Sequence, residues 1–415
     1  MSSTPLNVGD GSVGVVPDLD LWRLPRTDWA RLAWGSLILL GIVGGAYALH
    51  SATGYGAQAS LSLLIGTALG VVFERGRFCF FCILRDWLED GDSTGVYAIL
   101  AALALGGVGY ALVFGAFLPN PNTGRLPPDA HIGPLSWVLL AAGLAFGLGM
   151  ALSGACISGH LYRLGQGSSR APFALLGTLV GFGLGFLSWQ RLYIDTLISA
   201  PVPWLPASLG YGGALALHLA VLSALALLLL RALPPAAPRA GGRLTLAVVY
   251  DRVFRQRWNP LVTGALVAAL GTVAYFRLEP LGVTSQLGSF SRTFMSNQGW
   301  LAERLNGLDG FAGCATVVAQ TITDNGWLIL GLVLGSWAMS QMSKRFVWSA
   351  LTVRGAVSAV LGGVALGWAA MVALGCTVGT LLSGISAFAL SGWAFGLAVV
   401  GGVALGVRLG LHRLA

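Results

Sequence analysis

The residues of this chain most capable of chemistry are its five cysteines, Cys79, Cys82, Cys156, Cys314 and Cys376. Cys79 and Cys82 form a C-x-x-C within ERGRFCFFCILRD, residues 74–86, among aromatic side chains and close in sequence to Arg75, Arg77 and Arg85. Three chemistries suit such a stretch: a dithiol redox pair, half of a metal site, or the handling of a sulfur-containing substrate. The first is favoured by the arginines, since nearby guanidinium groups stabilise a thiolate. A structural zinc site takes four ligands at short, fixed spacings; one C-x-x-C and three isolated thiols do not supply them, and no metal is expected. A membrane thiol-disulfide oxidoreductase needs a second pair and a quinone-like acceptor, and Cys314 has no partner near it in sequence. Buried cysteine also serves simply to fill space.

Two of the thiols stand in matching frames. LSGACISGHLYRLGQGSS (152–169) and ALGCTVGTLLSGISAFALS (373–391) each place a glycine three residues after the cysteine, Gly159 after Cys156 and Gly379 after Cys376. Each follows an apolar stretch rich in Gly and Ala. Glycines of this kind also allow plain close packing of helices.

The elements that carry these residues follow from composition. The chain of 415 residues is 55% hydrophobic and 10% charged, where a soluble domain carries about a quarter charged residues. Its apolar runs of about 17 to 24 residues match helices crossing a bilayer core of roughly 30 Å, and none has the alternation of a barrel strand. The expected fold class is an all-α integral membrane protein with spans near 33–49, 58–73, 95–118, 134–152, 171–188, 211–230, 258–276, 326–342, 355–374 and 391–407. The first 20 residues have neither the basic start nor the apolar core of a cleavable signal, and residues 1–32 read as a soluble tail. Residues 355–407 hold no charged side chain, so the turn between the last two spans stays within the membrane, where it must line a cavity or be buried in protein.

The loops give an orientation. With the N-terminus cytoplasmic, 19 Lys and Arg fall on the inner side and five on the outer, which places both termini inside by the positive-inside rule. The net charge of +8 is this bias rather than a nucleic-acid footprint. Residues 231–257, basic and broken by Pro and Gly, read as a cytoplasmic connector between a first half (33–230) and a second (258–415). On this topology the Cys156 stretch enters from the inner side and the Cys376 stretch from the outer. The halves then form an inverted repeat, a transporter design in which interrupted helices meet near the midplane.

Five blocks, ERGRFCF (74–80), GACISGHLYRLGQGS (154–168), VTSQLG (283–288), RGAVSAVLGG (354–363) and GCTVGTLLSGISAFALS (375–391), resemble the YeeE/YedE family of sulfur transport proteins. The resemblance runs from about residue 58 to the C-terminus. It implies an hourglass-like bundle with short re-entrant helices, a cysteine on each of three loops (Cys79, Cys156 and Cys376), import of thiosulfate, and a cytosolic sulfur carrier or sulfurtransferase as partner. Cys82 and Cys314 fall outside that pattern, and Thr380 stands where His160 has its counterpart. Family members are also assigned to selenium and to other sulfur species.

The physics of such a path is simple. A dianion with a soft terminal sulfur is costly in a low-dielectric interior unless donors replace its water. Neutral thiols at successive levels donate weak hydrogen bonds without trapping it. Helix N-termini at SGACISGH and GCTVGT, including Thr377, turn backbone amides toward the anion, and Gly154, Gly159, Gly375 and Gly379 permit close approach. Arg77 either attracts the anion at the cytoplasmic mouth or anchors the topology; His160 either braces its turn or packs; Ser285 and Gln286 occupy the outer counterpart of the Cys79 turn. The expectation is a bacterial inner-membrane importer of thiosulfate or a related inorganic sulfur anion, not an enzyme, without cofactor, nucleic acid or a GxxxxGK[ST] nucleotide loop. The alternatives are a thiol-disulfide oxidoreductase using Cys79 and Cys82, with Cys82 otherwise a packing residue, and a general small-anion channel.

Overall fold

A segment with no water to satisfy its backbone folds as a helix, and every apolar segment marked above is one. The computed structural model describes residues 26–233, 245–302, 304–308 and 318–414. Cys314, most of the expected N-terminal tail and residues 234–244 of the connector lie outside the described residues. The helices are α1 (Arg26–Ser51), α2 (Gly56–Gly76), α3 (Phe80–Asp90), α4 (Thr94–Phe117), α5 (Trp137–Ser153), α6 (Ile157–Gly165), α7 (Ala171–Asp195) and α8 (Pro206–Leu229). After a one-turn α9 (Leu246–Tyr250) come α10 (Pro260–Arg277), α11 (Ser285–Asn297), α12 (Asp324–Met342), α13 (Val353–Val372), the brief α14 (Gly384–Ser386) and α15 (Leu390–Arg408). Among the described residues nine helical stretches are long and apolar enough to cross a membrane. The tenth expected span falls on α12, which has 19 residues but carries Asn325, Ser336, Ser340 and Gln341. Its polar groups are held inside the bundle: Ser336 and Ser340 donate to the carbonyls of Tyr162 and Gly165.

Glycine at i and i+4 sets the helix pairing. Ala or larger at Gly66 and Gly70 of α2 would fall on the Leu328 and Leu332 carbonyls of α12, while Gly331 and Gly335 of α12 lie on the Leu63 and Thr67 carbonyls of α2. The same reciprocal fit joins α7 and α13 through Gly177, Gly181, Gly363 and Gly367. Lipid offers no hydrophobic drive between helices, so this backbone-to-backbone approach is what gains dispersion energy. In both pairs residue numbers rise together, and the helices run parallel. α4 with α10 and α5 with α15 pack likewise, Gly264 lying on the Ala98 carbonyl and Gly147 on the Val399 carbonyl. By contrast α5 and α13 run antiparallel, with Gly149 against Leu366 and Gly362 against Ser153. α2 ends where α10 begins, the Trp258 amide donating to the Arg75 carbonyl at 3.1 Å.

Charges gather at one end of the bundle. Asp28 pairs with Arg255 at 2.7 Å and also with Lys344, Glu74 lies 4.0 Å from Arg345, and His412 reaches Glu89 at 2.9 Å. The start of α1, the ends of α2 and α12, α3 and the end of the chain therefore share this basic face. One sequence expectation changes here. Residues 26–32 are helix rather than tail, because Asp28 anchors α1 to the basic face. The described part of the connector packs on the bundle: the Tyr250 hydroxyl donates to the Met342 carbonyl at 2.7 Å and Arg255 holds Asp28.

Candidate functional site: two thiol clusters at broken helices

Three sharp breaks between helices bring the cysteines inside the bundle. α2 stops at Gly76, the next residue, Arg77, takes a left-handed conformation (φ 52°), and Cys79 is the extended residue that opens α3. α5 stops at Ser153, Gly154 turns left-handed (φ 87°), and Cys156 opens α6. α13 stops at Val372, Leu374 turns left-handed (φ 55°), and Cys376 opens a π-type turn over Thr377–Ser383 that runs into α14. Each of these thiols thus sits at a helix start, where amide N–H groups lack partners within the helix.

The first cluster joins Cys79, Cys156 and Cys82. The Cys79 thiol neighbours both other thiols. Cys156 accepts from the Gly159 amide at 3.4 Å and meets the Ser158 hydroxyl at 3.3 Å. The two sulfurs converge over Gly159: a Cβ built there would stand 2.9 Å from Cys79 Sγ and 3.4 Å from Cys156 Sγ. Cys79 and Cys156 are both fully buried. Cys82 is more than the packing residue expected of it, for Arg163 donates to its sulfur from Nη2 at 2.9 Å while Nη1 donates to the Gly154 carbonyl at 3.0 Å. One guanidinium therefore fixes both the turn before Cys156 and the thiol three residues beyond Cys79. His160 is buried, with its Nε2 unpartnered.

The second cluster is built on Cys376, also fully buried. The Thr284 hydroxyl and the Val378 and Gly379 amides surround its sulfur. Gly379 faces the ring of His131, whose Cε1 would lie 2.9 Å from a Cβ there. The Ser383 hydroxyl donates to the Leu281 carbonyl at 2.9 Å, tying the π-type turn to the Leu281–Thr284 stretch. Thr377, buried, carries a hydroxyl with no partner, and Thr380 fills the space against Gly375.

Of the positions expected from sequence, Cys79, Cys156, Gly154, Gly159 and His160 lie at the first cluster, and Cys376, Thr377, Gly375 and Gly379 at the second. At the turn after α10, Thr284 precedes α11 as Cys79 precedes α3, and Thr284, beside the expected Ser285, neighbours the Cys376 thiol. Gln286 acts as a brace: its Oε1 accepts from the Thr323 amide and hydroxyl, each at 2.7 Å, fixing the start of α12. Arg77 is exposed on the basic face, whereas Arg75 is buried beside Glu74 at 3.4 Å and bonds the Gln256 carbonyl. Arg163, Arg170 and His131 were not singled out. Arg163 had a signal, a lone cation seven residues after Cys156 in an apolar stretch, since such cations face the protein interior. His131 had none, because its contact with Gly379 spans some 250 residues of chain.

Comparison with known proteins agrees with the motif blocks. The "Thiosulfate transporter TsuA" of Escherichia coli (strain K12) is 27% identical over 352 residues, covering 80% of this chain and 88% of that protein. The TsuA of Spirochaeta thermophila is 28% identical over 363 residues, covering 80% and 92%. A "Probable transporter YedE" of Salmonella typhimurium is 26% identical over 172 residues, covering 41% of this chain and 39% of that protein. The sulphur transport family model matches residues 75–405, a range that takes in both thiol clusters, and this chain is a multi-pass membrane protein of that family, the YeeE/YedE type.

Proposed function

We propose that the chain imports thiosulfate or a closely related inorganic sulfur anion, and that it is a transporter rather than an enzyme. The observation that carries the reading is the meeting of the Cys79 and Cys156 thiols over the bare Cα of Gly159, at the starts of two helices. Family membership and the names of the relatives support a sulfur-anion substrate. A terminal sulfur placed at that point accepts S–H hydrogen bonds from two neutral donors, while amides at the helix starts offset the oxyanion charge. Weak donors hold the ion without trapping it, which conduction requires. Cys376, with Thr284 and Thr377, supplies the matching level nearer the opposite face, so Cys79, Cys156 and Cys376 act as a relay.

The relay fits an inverted repeat of two halves, 33–230 and 258–415, joined by the basic connector. Supporting this, the parallel pairs α2 with α12 and α4 with α10 exchange into one another when α2 is swapped for α10 and α4 for α12, and α2 runs against α10. The basic face is then cytoplasmic, both termini lie inside, and the membrane is the bacterial inner membrane. A cytosolic sulfur carrier or sulfurtransferase collects the product there.

The test is uptake of [35S]thiosulfate by proteoliposomes. Wild type accumulates label, and Cys156→Ala and Cys376→Ala each lower the initial rate at least tenfold; no uptake by wild type refutes transport, and full uptake by both variants refutes the relay. A thiol-disulfide oxidoreductase is the second reading, favoured by the Cys79 to Cys82 contact and the Arg163 cation on Cys82. It requires a disulfide between these two that cycles on quinone addition, and thiols that stay free throughout turnover reject it.

A further inference from the structure

Beside the first thiol cluster, toward the basic face, lies a polar cavity of about 230 Å³ lined by Phe81, Arg85, Ser153, Gly154, His160, Arg163, Ser168, Arg170 and His412. Its volume admits a small ion together with waters of its shell. The charges around it are unequal. Arg85 is neutralised by Asp86 at 2.7 Å and reaches Glu89 at 3.9 Å, and His412 is bonded to Glu89 at 2.9 Å. Arg163 and Arg170 meet no carboxylate among the described residues. Arg163 spends its donors on the Gly154 carbonyl and Cys82, and Arg170 gives Nη2 to Ser358 at 3.0 Å while its buried Nε has no partner. His160 is buried, lines the same space, and leaves Nε2 unpartnered. Burial and the neighbouring Arg163 charge both push the Arg170 pKa down. Two partly buried cations without carboxylate partners among the described residues, and a buried His160 nitrogen without a partner, border one ion-sized space; such charges are costly as they stand and are relieved by an anion.

We infer that this cavity is a binding vestibule for a divalent tetrahedral oxyanion, held by Arg163, Arg170 and His160 on the basic-face side of the Cys79 and Cys156 thiols. The assignment rests on the transport reading above and adds its exit site. Because Cys82 lies between Arg163 and Cys79, the vestibule is the next stop for an anion leaving the thiols. Guanidinium groups bind the oxygen end, as thiols bind the sulfur end. Arg85, half-exposed, stands at the mouth.

Two measurements test it. Thiosulfate flux is measured in membrane vesicles of both orientations, so that each face is presented in turn. Arg170→Gln raises KM at the basic face about tenfold, the loss of one charge-assisted bond, leaves KM at the opposite face within about twofold, and Arg170→Lys recovers most of the difference. Equal change at both faces overturns the vestibule. Separately, the purified full chain is titrated with sulfate: wild type binds, and the R163Q/R170Q variant, checked for an intact melting transition, does not. Undiminished sulfate binding by that variant, or none by wild type, also overturns it. Sulfate binding with no thiosulfate flux in any vesicle instead upholds the anion site and refutes the transport reading.

Discussion

Replacing Gly159 by Ala isolates the space between the two thiols. A new Cβ at 2.9 Å from Cys79 Sγ and 3.0 Å from Ala155 Cβ falls about 0.6 to 1 Å short of ordinary van der Waals separation. Overpacking of this size costs about 1–3 kcal/mol. Intrinsic propensity acts the other way, since Ala in a helix is favoured over Gly by about 1 kcal/mol, so the fold survives while the gap between the sulfurs closes. If the steric cost falls on the state that holds the anion between the thiols, the initial rate drops about 5- to 150-fold. The assay is [35S]thiosulfate uptake by proteoliposomes, normalised to protein that gives a cooperative melting transition in detergent. The double variant Gly159→Ala with Cys79→Ala separates the causes: removing Cys79 Sγ makes room for the methyl, so the melting temperature recovers and uptake does not. Uptake by folded Gly159→Ala within twofold of wild type would refute the idea that the substrate passes between these sulfurs.

Three further outcomes are expected. Gly70→Ala, whose methyl would meet the Leu332 carbonyl, lowers the melting temperature in detergent, whereas Gly44→Ala, with nothing within 4 Å, leaves it unchanged; equal effects would discount the backbone contact as the basis of helix pairing. Thr284→Val removes the hydroxyl facing Cys376 and slows uptake several-fold without altering alkylation of Cys79, while full activity would leave Thr284 a packing residue. Glu279, beside Asn325 in the turn after α10, has its carboxyl pushed up to about 7 by burial. A raised carboxyl pKa means that the folded state binds the proton more tightly, so the stability it contributes is lost as pH rises from about 4.5 through 7. Glu279→Gln therefore raises the melting temperature at pH 8 and leaves it nearly unchanged at pH 5, and an equal shift at both pH values would show that Glu279 does not titrate in this range.

Sequence alone determined whatever is local in the chain. The low charge and the length of the apolar runs dictate membrane helices, because unpaired backbone groups are too costly in lipid. Gly154, two residues before a glycine-framed helix start at Cys156, marks a broken helix because a left-handed turn excludes most side chains. The five motif blocks were enough to place the chain in its family. Which thiols meet was decided by tertiary structure. Cys79 and Cys156 are 77 positions apart and converge on Gly159 only because α3 and α6 begin at one level of the bundle. Thr284 rather than Ser285 neighbours Cys376 because α11 begins at Ser285 and leaves Thr284 as the residue that precedes it. Nothing in the sequence marks Arg163, Arg170 and His160 as neighbours around one cavity, since the charge of a buried cation is read only against what packs beside it.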